Sequence, residues 1–208
     1  MAGLKVFKNG SWVVPQPKIY KNGKWIKATG YAYKNGKWVK ITEQEYTTTF
    51  PCKWCQTYRG NNTKRTDTTR MYQGYYSSSY GNHKSLMCFD ETGTVRNELQ
   101  GARIVEVKLW LQNDHWYWSS GGTIFIGTHN HKTKPNTYSY TQTNIVSQHF
   151  NRNEGRWVTL PSYVGEYIRD GKITGFTLHS SSNDKSYYGY FYGLGSSNAP
   201  QLRIKYVK

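Results

Sequence analysis

The sequence has few of the residues that build helices or disulfide frameworks. Alanine, leucine and glutamate are sparse, and three cysteines among 208 residues are too few for a disulfide scaffold. No apolar run approaches the length that spans a membrane. No secretory signal is visible at the amino terminus either. These absences argue against a helical, disulfide-stapled or membrane-inserted protein.

Aromatic residues and glycine are abundant instead. The chain contains 19 Tyr, 8 Trp, 7 Phe and 20 Gly, and an aromatic content of 16% argues against disorder. Aromatic and β-branched side chains suit a pleated sheet, and glycine and asparagine suit the turns between strands. The length allows one large domain or two small ones with a real core. The composition therefore predicts an all-β fold.

The charge balance is strongly positive. Lysine and arginine number 28 against 12 acidic residues, which gives a net charge of +16 at pH 7. Such a balance favours polyanionic partners, either nucleic acid or the phosphate-bearing polymers of a bacterial cell wall. The basic residues are spread along the chain and form no basic tail. A second interpretation is that a tyrosine-rich surface carries this charge for solubility.

A short unit occurs three times near the amino terminus, at Val6–Val13, Ile19–Ile26 and Ala32–Val39. Each unit contains an aromatic residue, Lys, Asn-Gly, a variable residue and Trp, and successive units are 13 residues apart. Asn-Gly between such flanks predicts a type I′ hairpin turn, with Trp across from or diagonal to the aromatic residue of the other strand. The shared turn and tryptophan positions are Asn9, Gly10, Trp12, Asn22, Gly23, Trp25, Asn35, Gly36 and Trp38.

One hairpin of this size cannot bury enough surface to be stable alone. We therefore expect residues 1–41 to form an attachment module that joins the protein to a larger assembly or helps it form a homo-oligomer, with a trimer as one candidate. The alternative is a self-contained small sheet with no role beyond stability. Residues 42–71 are expected to hold a linker and a first strand, and residues 72–208 a sandwich domain.

Short strands separated by turn signals predict a β-sandwich or barrel after residue 51. In residues 102–111, the apolar set Val105, Val107, Leu109 and Leu111 is predicted to face the core. Residues 162–170 are the one helix candidate, with Ser162 as its N-cap and Gly171 as its stop. Further strands are predicted at residues 85–90, 123–127, 155–160, 174–179, 188–192 and 201–207.

Four segments of this region form a recognisable series, Gly81–Asp90, Leu99–Leu109, Ile126–Asn130 and the ending from Trp157 to Tyr206. Together they resemble a β-sandwich domain of minor tail and fibre proteins from phages of Gram-positive hosts. That domain is similar to the jelly-roll "DNRLRE" and carbohydrate-binding-module-like domains of bacterial surface proteins. The amino-terminal units resemble the aromatic-Asn-Gly-x-Trp-Val units that open such phage proteins. The resemblance implies tandem β-hairpins followed by a jelly-roll β-sandwich with one short helix, on a virion surface.

Catalytic and metal sites have little support in the sequence. Cys52-Lys-Trp-Cys55 supplies half of a tetrahedral zinc site and would need Cys88 and His83 as further ligands. His129 and His131 have the spacing that puts two imidazoles on one face of a strand, and the alternative is that both are polar rim residues. No hydrolase, metalloprotease or phosphate-loop motif is present. We therefore expect no enzymatic activity, no cofactor and no metal.

Aromatic clusters in turn-rich stretches favour a binding function. Flat aromatic faces beside polar groups suit sugar rings, and nearby lysines suit a phosphorylated glycan such as teichoic acid. The glycan-binding candidates are Trp116, Trp118, Tyr138, Tyr140, Tyr188, Lys132 and Lys134, with the two tryptophans expected on one face of a strand. The alternative is that alternate aromatics of each run belong to the core.

These features predict a phage virion structural protein, a tail fibre or similar appendage, whose sandwich contacts a host cell-wall glycan. Its expected partners are other virion proteins and a wall polysaccharide or teichoic acid, without membrane insertion. A protein that looks extracellular and lacks a secretion signal fits a particle released by lysis. The alternative is a capsid decoration or head-fibre protein that binds no ligand. Nucleic-acid binding is a third hypothesis that rests on charge alone, because no groove-reading helix or known motif is visible.

Overall fold

The computed structural model describes residues 5–13, 15, 17–67, 69–180 and 182–208. The chain separates into two compact units, Met1–Tyr46 with Val207–Lys208, and Thr47–Tyr206. The sequence predicts a hairpin module that ends at residue 41 and a sandwich that begins at residue 72. The segment between those limits holds two strands, Glu45–Pro51 and Trp54–Tyr58.

The first unit contains three separate two-stranded antiparallel hairpins. Their strands are β1 (Val6–Lys8) and β2 (Ser11–Val13), β3 (Lys18–Lys21) and β4 (Lys24–Lys27), and β5 (Tyr31–Lys34) and β6 (Lys37–Lys40). In each hairpin the tryptophan lies directly opposite the aromatic residue of the other strand, as Phe7–Trp12, Tyr20–Trp25 and Tyr33–Trp38. The predicted tandem hairpins are confirmed.

The three Asn-Gly turns have the predicted backbone conformation. Asn9, Asn22 and Asn35 each have φ of 49°, and Gly10, Gly23 and Gly36 have φ of 79°, 77° and 78°. Both central residues are therefore in the left-handed region, as a type I′ turn requires. Asparagine tolerates this region and glycine adopts it without a steric cost, so the dipeptide itself determines the turn.

The hairpins leave large side chains exposed on both faces. Trp12, Trp25 and Trp38 are 68%, 68% and 70% exposed. Each packs edge to face on its partner ring with centroids 5.3 to 5.4 Å apart, a favourable geometry for an aromatic pair. Valine and isoleucine of the opposite faces are exposed as well. Turn chemistry and cross-strand pairs define these hairpins, because no described residue before Phe50 belongs to a hydrophobic core cluster.

The second unit contains eleven strands and two short helices among its described residues. The strands are β7 (Glu45–Pro51), β8 (Trp54–Tyr58), β9 (Arg70–Ser77), β10 (Gly81–Cys88), β11 (Arg103–Trp116), β12 (Gly122–His129), β13 (Gln142–Phe150), β14 (Gly155–Leu160), β15 (Gly175–His179), β16 (Gly189–Tyr192) and β17 (Gln201–Val207). The helices are α1 (Thr94–Leu99) and α2 (Tyr163–Arg169), and a 3-10 helix spans Lys185–Tyr187. The all-β class is confirmed, while β9, β13 and α1 were not predicted.

Two groups of strands share one core in this unit. One group is a five-stranded antiparallel sheet in the order β8-β10-β15-β12-β13. The other contains β14, β11, β17 and β7, and β16 and β9 connect it to β10. Ile124 and Phe176 of the first group and Val107 and Leu202 of the second lie in the same hydrophobic cluster. The unit is therefore sandwich-like, as predicted, and its jelly-roll connectivity stays a prediction.

At the start of β11, the residue that faces the core differs from the predicted one. Val107 and the apolar residues that alternate after it are buried, as predicted. Val105 is exposed, so its predicted core position is wrong, and Ile104 is buried instead. Helix α2 is the reason, because its Gly165 lies so close that an added Cβ would be 2.8 Å from Ile104 and 2.9 Å from Val107. The regular alternation of the strand begins only after this contact.

Helix α2 confirms the helix predicted at residues 162–170. Gly171 follows it with φ of 72°, as a left-handed stop residue should, whereas the Ser162 side chain makes no capping hydrogen bond. Helix α1 is capped by Asp90, whose carboxylate accepts the backbone N–H of Val95 at 2.8 Å. No helix among the described residues is long and apolar enough to cross a membrane.

Candidate functional site

The outward face of the five-stranded sheet carries a row of three side chains from neighbouring strands. Phe125 of β12 lies directly opposite His179 of β15. The register between β10 and β15 places Lys84 beside His179. The chain neighbours Ile124 and Leu178 belong to the core, so the alternation of a strand turns Phe125 and His179 to the outer face.

The loop of residues 130–141 lies over part of this face. Trp54 Nε1 donates a hydrogen bond to the backbone oxygen of Lys132 at 2.7 Å. Tyr58 Oη donates to the backbone oxygen of Pro135 at 2.6 Å. Both donors belong to β8, the edge strand that pairs with β10, so the loop is anchored to the same sheet that carries the row. This anchoring fixes the loop side chains relative to the sheet.

A cavity of about 800 Å³ lies between the row and the loop. Tyr138 and Tyr140 of the loop contribute to its wall, with ring centroids 6.0 Å apart. Lys84 Nζ lies 5.2 Å from the centroid of Tyr138, which is a cation–π contact. The Tyr140 side chain is 52% exposed. The volume and the aromatic walls suit a small ligand or one unit of a polymer.

The cavity has a positive electrostatic character. Lys84 is its charged residue, and the described lining contains no carboxylate. Burial, assisted by the Lys84 ammonium, lowers the pKa of His179, so the imidazole is neutral at pH 7. Burial raises the pKa of Tyr138 to about 12, so its hydroxyl keeps its proton. These groups favour a neutral or anionic ligand over a cation.

Amide and hydroxyl groups complete the cavity. Asn82 Nδ2 donates to Asn183 Oδ1 at 2.7 Å, while Asn82 Oδ1 is buried and accepts no hydrogen bond from any described residue. A buried acceptor without a partner costs about 1–3 kcal/mol. Thr143 and Asn144 add exposed polar groups from β13. The lining thus combines aromatic faces with directional partners for hydroxyl groups.

Two of the predicted glycan-binding residues, Tyr138 and Tyr140, line this cavity. Lys132 and Lys134 are exposed in the same loop but do not belong to the lining. Trp118 is exposed outside the cavity, where it packs on Tyr117 with ring centroids 4.7 Å apart.

Trp116 is a core residue, so its prediction as a binding residue is wrong. Its indole is fully buried against Gly122 and Gly189, and an added Cβ at either glycine would overlap the ring. Trp116 Nε1 donates to the backbone oxygen of Ser186 at 3.0 Å. The strand β11 ends at this residue, so Trp118 lies beyond it and the predicted shared face does not exist. The predicted Tyr188 is also buried, although it lines a second, smaller cavity.

Lys84, Phe125, His179 and Asn82 were not predicted as site residues. All four lie in β-strands, and the apolar alternation around Phe125 could have indicated an outward aromatic side chain. The sequence does not show which strands are neighbours, however, and the row exists only because β10, β15 and β12 are adjacent. The cavity could therefore not be assembled from local patterns.

The remaining candidates for metal binding have structural roles. His129 is fully buried, its Nε2 donates to the backbone oxygen of Met87 at 3.0 Å, and its Nδ1 accepts the N–H of His131 at 3.1 Å. Both ring nitrogens are thus already hydrogen bonded. Cys52 and Cys55 are both buried, and burial raises the pKa of both thiols. In the part of the chain that the structure describes, no group of three or more His, Cys, Asp or Glu residues has the arrangement of a metal site.

Comparison with known proteins assigns no family to this chain. No protein-family model matches it, and a search of curated proteins found no relative. The chemistry of the cavity and of the exposed hairpins is therefore the basis for assigning a function.

Proposed function

We propose that the protein is a structural component of a virus particle, a tail fibre or similar appendage, and that its sandwich unit binds a host cell-wall glycan. The observation that carries the binding proposal is the cavity on the five-stranded sheet. It combines tyrosine faces, amide and hydroxyl side chains and one lysine, without a carboxylate in its described lining. This is the chemistry of a site that holds a hydroxylated ligand.

A glycan fits this lining better than a purely apolar ligand. Sugar rings have apolar faces that stack on aromatic side chains and hydroxyl edges that need directional partners. Tyr140 offers an open aromatic face, and Thr143 and Asn144 supply exposed polar partners at the rim. A hydrocarbon ligand would leave these polar groups without hydrogen bonds.

An anionic glycan is favoured over a neutral one by charge. Lys84 contributes a full positive charge to the cavity, and the chain as a whole carries +16. A field of this sign raises the local concentration of polyanions and accelerates their association. Teichoic acid, whose repeating units join polyols or sugars through phosphates, has both the hydroxyl groups and the charge that this site would accept.

The hairpin unit supports the attachment part of the proposal. Each hairpin exposes an aromatic pair on one face and aliphatic side chains on the other, and an isolated hairpin of this size is marginally stable. Residues 5–41 also contain nine lysines and no acidic residue. Such ribbons gain stability when another protein covers their apolar side chains and balances their charge. Other virion proteins are the partners that we propose for them.

The glycan proposal is tested by retention of the purified full chain on cell walls. We expect retention on walls that carry teichoic acid and loss of most of it after the polymer is chemically removed. Substitution of Tyr140→Ala should weaken binding by about fivefold, because stacking on one aromatic face contributes about 1 kcal/mol. The matched control is Trp118→Ala, which removes an exposed aromatic outside the cavity and should bind like the unaltered chain.

Absence of retention under both low and high salt would refute the glycan proposal. The attachment role would then stand alone, as in a capsid decoration or head-fibre protein that binds no ligand. Equal losses for Tyr140→Ala and Trp118→Ala would place binding outside the cavity. Complete loss at high salt, with no effect of Tyr140→Ala, would indicate nonspecific charge attraction.

A further inference from the structure

A second cavity, of about 320 Å³, is lined by parts of β9, β11 and the 3-10 helix region. Its lining includes Tyr76, Ser77, His115, Tyr117, Lys185 and Tyr188. Like the first cavity, it combines aromatic walls with a lysine, and its described lining has no carboxylate. Two cavities of one chain therefore share the same unusual chemistry.

The second cavity is formed by packed residues and not by a loose surface depression. The rings of Tyr76 and Tyr188 have centroids 4.9 Å apart, and Tyr188 is buried beneath the exposed Tyr76. The backbone N–H of Tyr117 donates to the backbone oxygen of Tyr188 at 3.0 Å, which fixes the segment after β11. Tyr76 and Tyr117 leave aromatic surface exposed to solvent. The cavity is thus preorganised for a ligand.

The two cavities meet at the hairpin formed by β9 and β10. Ser77 of the second cavity lies directly opposite Gly81, which lines the first. Directly opposite residues of an antiparallel pair have Cα atoms about 5 Å apart. The neighbouring pair is Asn82, which lines the first cavity, and Tyr75, which lines the second. One strand pair therefore separates the two linings.

The segment that carries the 3-10 helix also joins both cavities. Asn183 holds the Asn82 side chain of the first cavity, and Tyr187 stacks on Phe125 with ring centroids 6.2 Å apart. Lys185 of the same segment lines the second cavity. Asp184 is the nearby acid, and its carboxylate accepts the backbone N–H of Ser186 at 2.8 Å, so it caps the 3-10 helix.

Positive charge also continues between the two cavities. The Arg59 guanidinium lies over the Tyr80 ring at 4.9 Å from its centroid, at the tip of the same hairpin. The adjacent Gly60 lines the first cavity and donates its N–H to the backbone oxygen of Tyr80 at 2.9 Å. Each of the three places thus has one cation, which is Lys84 in the first cavity, Arg59 at the junction and Lys185 in the second cavity.

We propose that the two cavities are subsites of one extended site that binds a linear polymer with anionic links between hydroxylated units. Each cavity holds one unit against its tyrosine faces, and the cations contact the phosphodiester or other anionic links. The inference rests on the proposed glycan-binding function for its ligand class. It adds that affinity depends on polymer length, because a second subsite acts at high effective concentration once the first is filled.

The test is a calorimetric titration of the full chain with glycerol phosphate, with its dimer and with long poly(glycerol phosphate). The wild-type chain should bind the long polymer at least about tenfold more tightly, per chain occupied, than the dimer. The double substitution Tyr117→Ala with Lys185→Ala should remove this gain and leave dimer binding unchanged. Substitution of Tyr140→Ala, in the first cavity, should weaken binding of every length. Trp118→Ala is the control for the loss of an exposed aromatic next to Tyr117.

The possible failures are distinguishable. If the double variant binds the long polymer like the wild type while Tyr140→Ala does not, the second cavity is no subsite and the proposed function stands. A wild-type affinity that does not change with length would also overturn the extended site. If no length binds to any variant or to the wild type, the extended site is overturned, and the proposed glycan function is then decided by retention on cell walls. Equal binding of a neutral chitin oligosaccharide would overturn the role of the anionic links.

Discussion

The two units of this protein use the same aromatic residues in opposite ways. The hairpins leave Trp12, Trp25 and Trp38 about two-thirds exposed, whereas the sandwich buries Trp116 completely. In the hairpins an aromatic pair stabilises a local ribbon, and in the sandwich one ring fills space between distant strands. The residue type alone therefore does not determine the role of an aromatic side chain in this protein. The role depends on whether the side chain contacts residues that are near in the sequence or residues of distant strands.

This difference explains what the sequence revealed about each unit. The hairpins depend on contacts between residues a few positions apart, so the sequence alone predicts the Asn-Gly turns and the aromatic pairs such as Phe7–Trp12. The sandwich depends on pairings such as Lys84 beside His179, which are separated by most of the domain. Such pairings leave no local signal.

The largest expected difference between the units is the cost of removing a tryptophan. Trp116→Ala should destabilise the sandwich by about 3–5 kcal/mol, because it leaves a large cavity in a packed core. Trp25→Ala should change the same unfolding transition by less than about 0.5 kcal/mol, because an exposed side chain outside that core contributes little to it. Urea unfolding of the full chain, followed by circular dichroism, measures both. Similar costs would show that the hairpin tryptophan supports the sandwich.

Acid should destabilise the sandwich through its buried histidines. Burial lowers the pKa of His129 to about 3, and burial with the Arg65 and Arg59 charges lowers that of His83 to about 4. Both imidazoles are neutral in the folded protein and take up protons when it unfolds. Their contribution to the free energy of unfolding is therefore complete above pH 6.5 and decreases as the pH falls toward the folded-state pKa values. Between pH 6.5 and its folded-state pKa, each histidine should lower the free energy of unfolding by about 1.4 kcal/mol per pH unit.

The measurement is the free energy of unfolding between pH 7 and pH 4. His129→Gln should reduce the slope, whereas the exposed His149→Gln should leave it unchanged. The hairpins contain no histidine, so their tryptophan signals should not follow this titration. A stability that is constant over the range, or an equal effect of both substitutions, would contradict the burial of neutral imidazoles.

The smallest effect is expected at the hairpin turns. Gly23→Ala forces a side chain into φ of 77°, which costs about 1 kcal/mol and should melt one ribbon. The neighbouring Lys24→Ala keeps the turn and serves as the control. Nuclear magnetic resonance of the Trp25 indole reports on that ribbon, and unfolding of the sandwich should be unchanged. A shift of the sandwich transition by Gly23→Ala would contradict the local character of the hairpin.

The limits of sequence interpretation are clearest at particular residues. Val105 was expected in the core from strict alternation, but packing of Gly165 on Ile104 and Val107 changed the pattern. Helix α1 was missed because its cap, Asp90, lies before the helix and outside the usual capping position. Of the candidate site, Tyr138 and Tyr140 were predicted because they lie in a turn-rich aromatic cluster. The residues that accompany them from other strands of the sheet could be identified only from the fold.

The central claim is that the sandwich cavity, and not the exposed aromatic ribbons, binds the wall polymer. It is tested most directly by nuclear magnetic resonance titration of the full chain with poly(glycerol phosphate) at physiological salt. We predict that the side-chain amide signals of Asn82 and Asn144 shift with saturation, while the indole signals of Trp12, Trp25 and Trp38 stay in place. Saturable shifts of those indoles with unchanged cavity signals would contradict the account.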